Sequence, residues 1–422
     1  NHSVISSDKL RFRTVLLTIK THKPQESRVP SNQQERTTMK FSNKTWLSWA
    51  FLVATLHPMD AFLSKPSTTT KALKAAPKRL GENVEGVVYV NEKCINCAAC
   101  SNFAPSVFQR SDKDRAHFVH HQPSSTEEIL DARAAMAACP VAAIRSETLA
   151  QRRHRATDKA SVEELWTQQD ETLVKQMALS PKVNGLELPF PRPLLYHSAS
   201  DGDITTTPNL QNVYNVGHHN ERSFGATPYL VQAKVNGKQV WFLIDTPKFS
   251  QSALDAVTSI TGESGPDYLF LTHVDDTADH EKWVEEFPNL QRIFHKGDTG
   301  RHNWLRDSRL DNEVEIMLPL PESQSDPTPL NAYSIDGTPL ADDWYGEFLK
   351  DDENDVVTLH TPGHSPGSIT LWKKPHGDQP GIIFTGDHLA FSTRTGRMSG
   401  FPMYGNNMQV QAKSLENLLK FD

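Results

Sequence analysis

The chain has 422 residues, enough for two or three domains, and its formal net charge of −7 hides a split. Residues 1–80 carry a net +10 and the remainder a net −17, so the body is acidic. An acidic body lacks the basic face that phosphate binding needs, which excludes nucleic acid as an expected partner.

In chain order, residues 1–38 are polar and without period, and read as upstream leader or disorder. From Met39 the pattern is ordered: Lys40 and Lys44, then the apolar run Trp46–Leu56, then Ala61-Phe62. That run is too short for a membrane span and the right length for the hydrophobic part of a signal peptide. Residues 63–80 are rich in Ser, Thr and Lys and hold no acid. This order over residues 39–80 resembles the bipartite plastid presequences of algae, with a Phe at the signal junction. The resemblance implies a plastid (chloroplast) location. No later stretch is apolar for long enough to span a membrane, so none is expected in the mature protein.

Residues 81–150 read as a cluster domain. Val87–Val90 suits a short strand and leads into Cys94-Ile95-Asn96-Cys97-Ala98-Ala99-Cys100. A fourth cysteine, Cys139, follows later and is trailed by Pro140, so the constellation uses every cysteine present. Cys-x2-Cys-x2-Cys with a distant Cys-Pro is the ligand pattern of one [4Fe–4S] cluster. A structural zinc site more often pairs two Cys-x2-Cys halves or adds His. A disulfide framework would not open on this triple. Residues 104–108 and 116–119 read as a hairpin. Ser125–Glu128 reads as the cap of a helix through Ala138, and residues 141–144 as a closing strand. The stretch resembles a single-cluster bacterial-type ferredoxin, which implies one-electron transfer.

Residues 151–205 read as a connector, helical at first and then crowded with Pro181, Pro189, Pro191 and Pro193. That composition suits either a rigid strap or a loose linker.

Residues 206–422 repeat one arrangement: a buried-type strand that delivers His or Asp to a loop. Residues 240–244 lead to Asp245, residues 268–271 to Thr272-His273, residues 356–360 to His364, and residues 381–384 to Asp387. Strand ends are rigid places from which to hold metal ligands. In that order the four segments resemble the motifs of the metallo-β-lactamase superfamily. The expected fold class is α+β: a small ferredoxin-like domain, then a four-layer αββα domain. The resemblance implies one or two metal ions, iron or zinc, with His273, Asp275, Asp279, His280, His364 and Asp387 as candidate ligands and Asp279 as the catalytic residue orienting a water.

Two departures from the family pattern stand out. His273 and His280 are seven residues apart where the family has five, and either way of counting leaves the Asp275 carboxylate in place of an imidazole. A carboxylate there favours a harder metal than zinc. The family's last His, near its C-terminus, has no counterpart before Asp422, so the end is expected to be truncated. The expectation is one tightly held metal on the Asp279, His280 and Asp387 side, with a weak site near His273.

His218, His219 and His295 read as ordinary polar residues, His360 as packing, His388 as a neighbour of the ligands, and residues 224–227 as pocket floor. The function that follows is a plastid iron–sulfur redox protein. Its cluster domain serves a metal-dependent hydrolase of thioester type or an iron-dependent oxidoreductase, with a redox partner protein and a small-molecule substrate. The alternative is a scaffold without catalysis that carries the cluster for a partner.

Overall fold

In the computed structural model the first elements follow their local signals. β1 (Val88–Val90) pairs antiparallel with β4 (Ile144–Ser146). Between them lie α1 (Ala99–Phe103), the hairpin of β2 (Phe108–Arg110) and β3 (His117–Val119), and α2 (Thr126–Ala138). At the start of α2 the Ser125 side chain accepts from Glu128 N, and the Glu128 carboxylate accepts from Ser125 N. This satisfies two of the amide groups that a helix start leaves without partners. The closing strand begins at Ile144 and not at Val141, because Ala142, with φ 50°, turns the chain after Cys139-Pro140.

The structure describes residues 77–156, 158–179, 188–195, 209–321, 331–392, 397–400 and 407–419, all in one compact unit. Residues 1–76, where the leader and nearly all of the presequence are expected, lie outside the described residues, as do Pro181 and the last three positions.

The connector is packed. α3 (Leu149–Arg155), α4 (Lys159–Leu165) and α5 (Gln168–Gln176) follow one another, and each opens on a side-chain cap: Thr148, Asp158 and Thr167. Leu173, Met177 and Phe190 are buried in the same hydrophobic cluster as the cysteine-domain residues Val88, Phe103 and Ala135. Burying side chains of that size stabilises by roughly 1.5–3 kcal/mol each. Arg192 then donates to the Asp131 carboxylate at 2.9 Å and to the Leu130 carbonyl at 3.0 Å. Arg192 also begins β5 (Arg192–Leu195), the edge strand of the large sheet.

That sheet has seven strands. β5, β6 (Asn209–Asn215), β7 (Tyr229–Val235) and β8 (Lys238–Ile244) run antiparallel, each to the next. β8, β9 (Tyr268–Phe270), β10 (Gln291–His295) and β11 (Ile316–Leu318) run parallel. The second sheet orders β12 (Ala332–Tyr333), β13 (Val356–His360), β14 (Ile369–Lys373) and β15 (Ile382–Phe384), all antiparallel. A small hairpin, β16 (Ala390–Ser392) with β17 (Arg397–Ser399), follows it.

Alternation along the strands sorts the layers, because successive side chains leave a strand on opposite faces. From β8, Phe242 and Ile244 join Val356, Ile369 and Leu371 between the two sheets. Leu243 points the other way, to α6 (Gln251–Thr261) and α7 (His280–Glu286), where it meets Val257 and Trp283. From β13, Val357 and Leu359 face outward to α9 (Trp344–Phe348) and α10 (Met408–Leu418). A short helix, α8 (Ser308–Asn312), lies between β10 and β11 in sequence. The layer order is therefore helix, sheet, sheet, helix, as the sequence motifs imply.

Among the described residues no helix is long and apolar enough to cross a membrane.

Candidate functional sites

The cysteine site is built from a loop that cannot relax into a helix. Asn96 and Ala98 take φ values of 61° and 65°, a left-handed conformation that non-glycine residues adopt at a cost. That alternation curls residues 94–100 around one point, and Cys139 reaches the same point from the end of α2. All four cysteines are free and line one pocket with Val90, Ile95, Val141, Ala143 and Ile144. Backbone amides donate to two sulfurs: His117 N to Cys94 at 3.4 Å and Ala143 N to Cys139 at 3.2 Å. Burial pushes the Cys97 thiol up to about 11 and Cys100 well above its ordinary value. These two thiols therefore stay protonated until a metal displaces the proton. Four convergent sulfurs in an apolar pocket with amide donors fit an iron–sulfur cluster.

The second site stands at the carboxyl ends of β8, β9, β13 and β15. The parallel pairing of β8 with β9 sets Ile244 opposite Phe270 and so brings Asp245 beside Thr272. Asp245 accepts from Thr272 N and from Thr272 Oγ1, both at 2.9 Å, and Thr272 Oγ1 lies 3.0 Å from His273 Nδ1. His273 is thus gripped from behind. Gly386 completes the approach of the fourth motif: at φ 51° it lies so near Thr272 that a Cβ would sit 2.3 Å from Oγ1.

His273, His364 and Asp387 each offer a ligand atom within 4.8 Å of the others. Asp275 joins them, its Oδ2 3.8 Å from His273 Nε2 and 3.7 Å from His364 Nε2, while Asp387 Oδ2 is 3.7 Å from His364 Nε2. His273 Nε2 is buried and makes no hydrogen bond. A buried polar atom in that state is costly unless something else satisfies it, and a metal ion does so. Burial holds the His273 imidazole below its ordinary pKa, against the pull of Asp387 and Asp275, so its neutral ligating form prevails.

Asp276 lies in the same pocket, its Oδ2 3.6 Å from His273 Nδ1. Burial, then repulsion from Asp387, Asp245 and Asp275, raises Asp276 well above the carboxylate range. Burial, opposed by the Thr272 hydrogen bonds and helped by Asp387, raises Asp245 to about 7. So many carboxylates in one enclosed space require either protons or a cation. With two imidazoles among them, the donor set fits a divalent metal.

Asp279 and His280 are not brought to this group. The Asp279 carboxylate accepts from Asn220 Nδ2 at 2.8 Å, from Phe249 N at 3.2 Å, from Lys282 and from Arg222. Burial opposes its ionisation, but those hydrogen bonds and charges outweigh it and hold its carboxyl below the usual range. His280 Nε2 faces Asp307 Oδ2 at 3.3 Å, and its Nδ1 faces Arg292 Nη1 at 3.1 Å. His280, Glu281 and Asp307 also come close enough to share an ion, yet Arg309 already pairs with both acids. The residues that the structure brings together are His273, Asp275, His364 and Asp387, while Asp279 and His280 lie at the start of α7 with the partners just named.

Sequence reasoning named Asp245 only as part of a motif and passed over Asp276, Asn220 and Trp304. Asp276 was findable, since it sits inside the motif. Trp304, whose Nε1 donates to Asp275 Oδ1 at 2.6 Å, left no signal in spacing. His295 and His360 stack with ring centroids 4.0 Å apart beneath the third motif, and His388 is buried beside Asp387.

Residues 90–146 match the family model described as the 4Fe-4S single cluster domain of Ferredoxin I. No curated protein matches the chain by sequence. Solved structures similar to it include a quorum-quenching N-acyl homoserine lactone lactonase. That match has a TM-score of 0.30 at 16% identity, covering 55% of this chain and 83% of that one. A subclass B3 metallo-β-lactamase of Bradyrhizobium japonicum aligns with a TM-score of 0.28 at 14% identity, over 50% of this chain and 70% of that one. Residues 90–146 thus match a single-cluster [4Fe–4S] domain model, and the domain that follows layers helix, sheet, sheet, helix.

Proposed function

We propose that this is a redox protein in which the cluster domain exchanges single electrons with a partner protein while the αββα domain binds one metal ion and acts on a small molecule. The observation that carries the reading is His273 Nε2, buried without a hydrogen bond and faced by Asp275, with His364 and Asp387 beside it. Two imidazoles and two carboxylates form a harder set than thiolates or three imidazoles, which favours iron or manganese over zinc. A metal ion bound there supplies Lewis acidity toward a carbonyl or a water. The surrounding residues set its conditions. Thr272 orients His273, Asp275 stays ionised between its neighbours, and Asp276 and Asp245 hold protons in reach of the ligands. With Asp279 and His280 engaged elsewhere, the site has ligands for one ion, not two.

The test is elemental analysis of the full chain purified without oxygen. We expect about four irons with four sulfides for the cluster, plus one further metal ion per chain. Asp387→Ala should lose the further metal and keep the sulfide. If wild type and variant show the same metal-to-sulfide ratio, the αββα domain is a scaffold that carries the cluster.

We further propose a plastid as the place of action, on the strength of the apolar run, Phe62 and the acid-free stretch after it. A fluorescent fusion of residues 39–80 should enter the plastid; secretion of the fusion into the medium would refute the address.

A further inference from the structure

Trp304 is an exposed tryptophan with an unusual attachment. The residue is 52% exposed, yet its Nε1 makes a 2.6 Å hydrogen bond to Asp275 Oδ1. The backbone on either side is fixed. Asn303 Nδ2 donates to the Asp307 carbonyl at 2.7 Å and to Asp311 Oδ1 at 3.1 Å, and Arg306 N donates to the Asn303 carbonyl at 2.9 Å. The indole is therefore presented to Asp275 from a pinned turn. With Oδ1 occupied, the other oxygen, Oδ2, is the one that faces His273 and His364.

The free face of the indole meets Phe224, with ring centroids 6.0 Å apart. Phe224 is 60% exposed and sits at φ 49°, a conformation that its bulk disfavours. The next residue, Gly225, has φ 90° and presses on the cluster loop: a Cβ there would lie 3.2 Å from Cys97 Cβ and 3.6 Å from Pro140 Cγ. The same turn is tied to the second motif, since Ala278 N donates to Ser223 Oγ at 3.2 Å and Asn220 holds Asp279. A strained aromatic joint thus runs from the cluster loop, through Gly225 and Phe224, to Trp304 and Asp275.

We propose that Trp304 is the positioning residue for Asp275, fixing its carboxylate for metal binding, and that the cluster loop holds Trp304 in place through Gly225 and Phe224. This rests on the metal site proposed above. Outer hydrogen bonds of this kind set the orientation of a ligand, and removing one costs 10–100-fold in metal affinity. Phe224, one contact further out, acts on the same ligand more weakly.

The experiment is manganese(II) binding to the full, cluster-loaded chain, measured by competition with a chelator. Trp304→Phe keeps the ring contact with Phe224 and removes only the donor. We expect it to weaken manganese binding by about 10–100-fold with sulfide content unchanged. Phe224→Ala should weaken it by less. In Asp275→Asn the carboxylate is gone, so adding Trp304→Phe should change little; the two losses should not add. Strict additivity, or a Trp304→Phe chain that binds manganese like wild type, overturns the role of Trp304 and leaves the metal site standing. A wild-type chain that takes up no manganese overturns both.

Discussion

The two groups of candidate ligands in this molecule are built by opposite means. Around the cysteines the wall is apolar, and burial raises the Cys97 thiol to about 11 and the Cys100 thiol well above its ordinary value. Around His273 the wall is charged, and Asp245, Asp275, Asp276 and Asp387 crowd a space that cannot ionise them all. In the first, Cys97 and Cys100 are neutral thiols whose protons a metal would displace. The second carries an excess of acid that a cation or protons must offset. An apolar shell around soft sulfur suits electron storage, and an acid-lined shell suits a hard ion that polarises what it touches. The difference extends to histidine. The cluster pocket has His117, lowered to about 4 by burial. The other side buries His273, His295, His360 and His388, all held below their ordinary value by burial first.

The sharpest way to break this comparison is to empty one pocket. Cys97→Ala should abolish the cluster, seen as complete loss of sulfide and of the broad visible absorption. The further metal should stay bound, because none of its ligands is a cysteine, but more weakly, because the cluster loop backs Trp304 through Gly225. Loss of both together would mean that one pocket cannot exist without the other.

A smaller effect is expected from acid. His360 is buried and held at about 4, so between roughly pH 6.5 and 4 the unfolded chain binds the proton that the folded chain refuses. Stability is then fully present above the unfolded value and falls as pH drops through that window, by about 3 kcal/mol from this one group. His360→Gln should flatten that limb of a stability–pH curve measured by denaturant unfolding. A variant curve as steep as wild type would place the acid sensitivity elsewhere.

The cysteines were legible because three ligands lie within seven residues and their spacing carries the geometry. The layer order was legible too, through the family resemblance carried by the strand ends at Asp245, His273, His364 and Asp387. The division of labour inside the second motif was not. Whether Asp279 faces a metal or an arginine depends on Asn220 and Arg222, which β7, β8 and α6 separate from it in sequence. His280 is likewise claimed by Arg292 from the following strand. Side chains so far apart leave no trace in spacing. Trp304 is the extreme case: an exposed aromatic in a turn reads as surface until its one hydrogen bond is seen.

The contact of Gly225 with Cys97 also has a bearing on time. A chain made from its N-terminus presents Cys94, Cys97, Cys100 and Cys139 about 85 residues before Gly225 exists to cover them. At roughly 5–20 residues per second, that leaves an interval of several seconds in which the cysteine loop is complete and uncapped. The same interval precedes every ligand of the second pocket, since His273 is made later still. Iron delivered in that interval meets sulfur alone; iron delivered afterwards must choose between two finished pockets.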